Sequence, residues 1–106
     1  MILAVDAGNS NIVLGCMAGL TVQHTIRLTT DRTMDAAGYI AALKAVLAQS
    51  GYSAEKFTGA ILSSVVAAVT EPLRQALAAL ITGPALVVGE TANTSIPHRP
   101  TGVYRL

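Results

Sequence analysis

The sequence predicts an α/β fold: a five-stranded mixed sheet in strand order 3-2-1-4-5, with the element order βββαβαβ. Three observations lead there. The first 28 residues form apolar or alternating runs separated by turn residues, the pattern of an antiparallel meander. Across residues 35–50 the apolar spacing changes from two to about 3.6 residues. The second half then alternates helix and strand, which implies parallel strands joined by right-handed crossovers.

The elements follow in order. Residues 2–6 read as a buried strand that ends at a carboxylate, Asp6. Residues 11–17 form a second strand, and Ala18-Gly19 is its turn. Residues 20–28 alternate, with Leu20, Val22, His24, Ile26 and Leu28 on one face. That is a half-buried strand. A polar loop spans residues 29–33. In the segment 35–50, Ala36, Ile40, Leu43 and Leu47 recur at helical spacing. Thr33 or Asp35 can cap this helix, and Gly51 suits its end. Residues 58–64 are β-rich and uncharged, closing on Ser63-Ser64. Thr70 is a candidate cap for the helix 70–81, with Glu71 and Pro72 in its first turn. Its inner face would be Leu73, Leu77, Leu80 and Ile81. Residues 85–88 make the last strand, closed by Gly89. From Glu90 onward the chain is polar and irregular.

Composition narrows the function. The 106 residues suffice for one domain, and the net charge is only +1. No basic stripe points to nucleic acid, and one Phe with three Tyr is too few rings for a base-stacking platform. Apolar residues make up 52% and charged ones 12%, against roughly 25% charged in ordinary domains. This predicts a surface covered by another domain or subunit, hence self-association or an exposed apolar face. Cys16 has no internal partner and is expected to be buried and inert. No Cys and His cluster has metal-site spacing. No apolar run suits a signal peptide or a membrane span, so a cytoplasmic protein is expected.

The most informative stretch is Asp6-Ala7-Gly8-Asn9-Ser10-Asn11, set between two apolar runs. Gly8 and Asn9 tolerate positive φ and permit a tight hairpin turn. The turn's N–H groups and the Ser10 hydroxyl can face an anion. Asp6 would hold a cation or ordered water beside it. The competing reading is ordinary turn chemistry. Ser63 and Ser64 end a parallel strand, where ligand crevices form; local hydrogen bonding accounts for them equally well. Arg27, Asp31 and Arg32 read as a solvated face or an ion pair, and His24 as structural. His98 and Arg99 fall in the irregular tail.

Four stretches together resemble the amino-terminal half of type III pantothenate kinases: DAGNSN at 6–11, TTDR at 29–32, GAILSSVVAAVT at 59–70 and LVVGETANTSIP at 86–97. The resemblance implies the ribonuclease H-like fold of the actin-like ATPase superfamily, with residues 1–97 as its amino-terminal domain and 98–106 as a tail where a second domain would begin. It implies phosphorylation of pantothenate by ATP, the first step of coenzyme A synthesis, in a cytoplasmic homodimer. The implied cofactors are ATP with a divalent metal such as magnesium, and a monovalent cation, potassium or ammonium. Asp6, Ala7, Gly8, Asn9, Ser10, Asn11, Ile12 and Val13 match the family's ATP phosphate-binding element, with Asp6 toward the metal.

Two departures stand out. Ala67 and Ala68 occupy the place where the family has a proline after SSVV. In HRPTGVYRL at 98–106, Gly102 and Arg105 can be laid on the family's substrate motif Gly-x-Asp-Arg. Tyr104 then stands at the aspartate that acts as general base. The resemblance therefore implies a nucleotide-phosphate half that is inactive alone. The alternatives are a degenerate nucleotide- or partner-binding module without kinase activity, and an incomplete or frame-shifted product.

Overall fold

Three strands open the chain: β1 (Ile2–Ala7), β2 (Asn11–Ala18) and β3 (Thr21–Thr29). Helix α1 (Ala36–Gln49) follows, then a single 3-10 turn at Ala54–Lys56 and strand β4 (Gly59–Ser64). Helix α2 (Ala67–Leu80) and strand β5 (Ala85–Val88) complete the order. The computed structural model describes residues 1–88. Gly89 and the tail residues His98, Arg99, Gly102, Tyr104 and Arg105 lie outside the described residues. The sheet order is β3-β2-β1-β4-β5, as the sequence predicts. β1 is central: antiparallel to β2, parallel to β4.

Register explains the core. Leu3, Val5 and Ala7 of β1 stand opposite Cys16, Leu14 and Ile12 of β2. All six are buried, and Ala60 and Leu62 of β4 continue the same rows. Helices α1 and α2 cover this face and pack on each other, and Leu43, Leu47, Val69, Leu73 and Leu77 join the same buried core. The opposite face carries Ala4, Asp6, Val13, Gly15, Ile61 and Ser63, and among the described residues no helix covers it. The fully buried strand expected for residues 2–6 is therefore a one-sided one: Ile2 and Ala4 are half-buried, and Asp6 is exposed.

Helix α1 is closed at both ends by its own sequence. The Asp35 carboxylate accepts from Gly38 N–H at 2.9 Å, a side-chain N-cap. At the other end Gly51 has φ +85°, Tyr52 N–H donates to the Leu47 carbonyl and Gly51 N–H to that of Ala48. This is a Schellman stop, which needs the left-handed residue that glycine supplies.

Helix α2 differs from expectation. It starts at Ala67, three residues before Thr70. Thr70 lies inside it and donates to the Val66 carbonyl at 3.0 Å, four residues back. Among the described residues no side chain caps the start of α2, where Val66 is the N-cap; ahead of the helix Ser64 Oγ accepts from Val66 N–H at 3.1 Å. Pro72 consequently sits within the helix, where it has no N–H to give the preceding turn. Glu71 pairs with Arg74 and Gln75 on the outer surface.

The strand predicted over 20–28 is half-buried in its second part only. Its register shifts at Cys16/Met17: Cys16 faces His24, but Met17 faces Val22. One β3 residue, Gln23, is thus unpaired, and the alternation reverses phase. His24, Ile26 and Leu28 stay on the helix side, whereas Val22 turns to the open face. Leu20 lies in the turn and is 97% exposed.

Candidate functional site

The site begins with the alternation of β1. Because Val5 and Ala7 must face the helices, Asp6 between them faces away. Cross-strand register then places Arg27, Val13, Asp6, Ser63 and Val88 in one row over all five strands. Residues paired across strands share a face, so the open side carries a polar edge at Asp6 and Ser63. Below this row lies a concavity of about 270 Å³ floored by Ala4, Gly15, Met17, Val22 and Ile61. A carboxylate closing a strand would be costly if buried; exposure to water removes that cost here.

The β1–β2 hairpin turns at Gly8–Asn11. Gly8 N–H donates to the Asn11 carbonyl at 2.9 Å. The expected positive φ at Gly8 is not used: among the described glycines it occurs at Gly19 and Gly51. Gly8 matters instead for close approach, since a Cβ there would lie 3.3 Å from the Asn11 oxygen. Asn9, Ser10 and Asn11 are exposed. Among the described residues nothing accepts from the N–H groups of Asn9 and Ser10. Ala7 and Ile12 point into the core, so only their backbone can serve a ligand, while Val13 lies on the open face.

The polar loop after β3 packs on this hairpin, which reading residue by residue as a solvated face missed. Thr30 Oγ1 donates to the Gly8 carbonyl at 2.8 Å, and Thr30 N–H to that of Ser10 at 3.0 Å. Arg32 Nη2 donates to Asn9 Oδ1 at 2.9 Å. The loop itself is anchored by Tyr39 of α1, a buried residue outside the predicted stripe. Its spacing to Leu43 and Leu47, four and eight residues, is the signal that could have found it. Asp31 accepts from the Thr33 hydroxyl at 2.6 Å and the Thr33 N–H at 2.9 Å. Those bonds, the hydroxyl first, hold its carboxyl below the usual carboxylate range.

The two serines separate. Ser64 is used up at the start of α2, where its Oγ also lies 2.9 Å from Thr70 Oγ1. Ser63 stands beside Asp6 on the open face. Cys16 is fully buried, and burial pushes its thiol up, as expected of an inert cysteine. Among the described residues no group of three His, Cys, Asp or Glu could hold a metal. Asp6 is a single exposed carboxylate on the open face and could by itself supply one ligand to a cation. Among the described residues no helix is long and apolar enough to cross a membrane. Gly102 and Arg105, expected to match the family's substrate motif, and Tyr104 at its aspartate lie outside the described residues.

The fold and the family both have counterparts. The chain superimposes on a ROK hexokinase from Thermus thermophilus with a TM-score of 0.57 and 16% identity, covering 81% of this chain and 32% of that one. A Porphyromonas gingivalis protein described as an N-acetylglucosamine kinase gives 0.63 at 15% identity, covering 82% and 34%. At such identities the likeness shows the ribonuclease H-like fold. In sequence, a type III pantothenate kinase from Exiguobacterium sp. strain AT1b is 40% identical over 96 residues, 91% of this chain and 38% of that protein. One from Moorella thermoacetica is 33% identical over 99 residues, 93% and 39%. The chain thus spans under two fifths of the length of these relatives. The model of the family described as type III pantothenate kinase matches residues 2–101, more than nine tenths of the sequence, and the chain belongs to that family.

Proposed function

We propose that this chain supplies the nucleotide-phosphate half of a pantothenate kinase. The observation that carries the reading is the exposed Asp6 carboxylate beside a hairpin whose Asn9 and Ser10 N–H groups have no acceptor among the described residues. In phosphoryl transfer the protein mainly positions phosphates and neutralises charge. The Asn9 and Ser10 N–H groups and the Ser10 hydroxyl are donors for phosphate oxygens. Asp6 orients water or magnesium against the same phosphates; the metal supplies charge neutralisation when bound. Gly8 and Asn11 shape the turn. Potassium or ammonium, a homodimeric assembly and a cytoplasmic setting belong to the same proposal, as does pantothenate as the acceptor.

Turnover by the 106-residue chain alone is expected to be undetectable. The Asp6 face is open to water among the described residues, and hydrogen-bond donors stabilise a developing charge best where water is excluded. Tyr104, laid on the general-base position, offers a phenol where the family has a carboxylate. Calorimetry with magnesium-ATP tests the binding half: Asp6→Asn should weaken affinity about tenfold, or about 1.4 kcal/mol. Equal affinity of the two proteins refutes it. A coupled assay with ATP, pantothenate and potassium tests the second half, and clear turnover would overturn the inactivity.

A further inference from the structure

Asparagine at position 9 has two chemically opposite ends, a carbonyl that accepts and an amide that donates. Which end faces a ligand decides whether it attracts or repels an anion. Arg32 decides the matter. A guanidinium carries donors only, so the end of Asn9 that meets it must be Oδ1. The bond measures 2.9 Å. The Nδ2 donors of Asn9 are then the end left for other partners, on the same turn as the N–H groups of Asn9 and Ser10, which nothing among the described residues engages.

Arg32 is itself held in place. Thr30, two residues earlier, is bonded to both Gly8 and Ser10 of the turn. Asp31, between them, is fixed by the Tyr39 hydroxyl through its N–H at 3.1 Å and its carbonyl at 2.7 Å. Tyr39 is completely buried in the core. A path of direct contacts therefore runs from the core of α1 through Asp31 to the exposed hairpin.

We infer that Arg32 is a positioning residue of the phosphate hairpin, acting through Asn9 by fixing the donor end of its side-chain amide toward the nucleotide phosphates. The inference rests on reading that hairpin as the nucleotide site. The contact is exposed and adds little to stability, so its effect appears in binding and not in melting temperature. Conversion of Asn9 to a donor also offsets the repulsion that Asp6 exerts on an approaching phosphate.

The test is a double-mutant cycle on the 106-residue chain, with magnesium-ATP as the probe and calorimetry as the readout. Arg32→Ala and Asn9→Ala should each weaken binding about five- to tenfold, with melting temperatures unchanged within a few degrees. The double variant should be no weaker than either single one, because the two side chains act as one unit. Arg32→Lys, which keeps a donor, should recover part of the loss. Multiplied losses in the double variant would mean that Arg32 acts without Asn9, and would overturn the inference. So would binding that falls in Asp6→Asn but is unchanged in Arg32→Ala; the nucleotide site would then stand and the positioning role would not. A wild-type chain that binds no magnesium-ATP overturns both.

Discussion

The Tyr39 hydroxyl donates to the Asp31 carbonyl and accepts from the Asp31 N–H, so one buried ring holds both polar groups of a single loop residue. The loop that touches the β1–β2 hairpin is thereby fastened to α1. Removing the hydroxyl leaves two partly buried backbone groups without their partner. Tyr39→Phe should destabilise the chain by about 1–2 kcal/mol. Urea denaturation measures this, and an unchanged midpoint would show that water replaces the hydroxyl at no cost.

Gly83 should tolerate no side chain. A Cβ there would collide with the Thr58 carbonyl, which is backbone and cannot rotate aside. The same crossing carries the bond from Ala60 N–H to the Pro84 carbonyl at 2.9 Å, so the start of β5 would have to move. Gly83→Ala should cost about 3 kcal/mol, at the upper end of overpacking effects. Thermal melting checks it; a shift of less than two degrees would contradict the close approach.

Among the described residues, two exposed carboxyls should contribute to acid sensitivity. Hydrogen bonds from Arg74 and then Gln75 hold Glu71 down to about 2 from an ordinary 4.5. Asp31 is lowered by its bonds from Thr33. A folded-state value below the unfolded one adds stability that is complete above the ordinary value and is lost as pH falls through the lowered one. For Glu71 the window runs from 4.5 down to about 2. Glu71→Gln should therefore flatten the loss of stability in that window and leave neutral pH nearly unaffected. Carboxyl titration by NMR reads Glu71 directly, and a midpoint at its ordinary value would refute the pairing.

The open face should bind a hydrophobic dye. Val22 is 52% exposed and Leu86 58%, and the concavity between the strands is lined mainly by apolar groups. Val22→Lys should lower dye fluorescence and any self-association seen by light scattering. No dye signal from the wild-type chain would mean that this face is covered in solution.

Most of the architecture is written in local pattern. Element order and the capping of α1 follow from apolar period and turn residues, because each rests on groups close in sequence; strand order needs the rules for crossovers as well, since β1 and β4 pair across more than 50 positions. Three features do not. Helix α2 starts at Ala67 without a side-chain cap, so Thr70, the cap that the sequence offers, draws the boundary too late. The phase reversal in β3 comes from one unpaired residue opposite Cys16/Met17, and an alternating sequence gives no mark of it. The contacts of Thr30 and Arg32 with the hairpin span more than 20 positions and exist only once the β2–β3 register is set. The candidate carboxylate and turn could be read in advance; the side chains that hold the turn could not.

Asp6 also bears on how the sheet assembles. β1 is the strand that both halves of the sheet share, antiparallel on one side and parallel on the other. Sliding it by one residue would carry Asp6 under the helices and push Val5 and Ala7 into water. A buried, unpaired carboxylate costs far more than a misplaced alanine. The residue assigned to chemistry thus acts as a proofreader during folding: of the pairings β1 could adopt with β2 and β4, it penalises every one-residue slip, and the register that survives is the one that presents Asp6 to solvent.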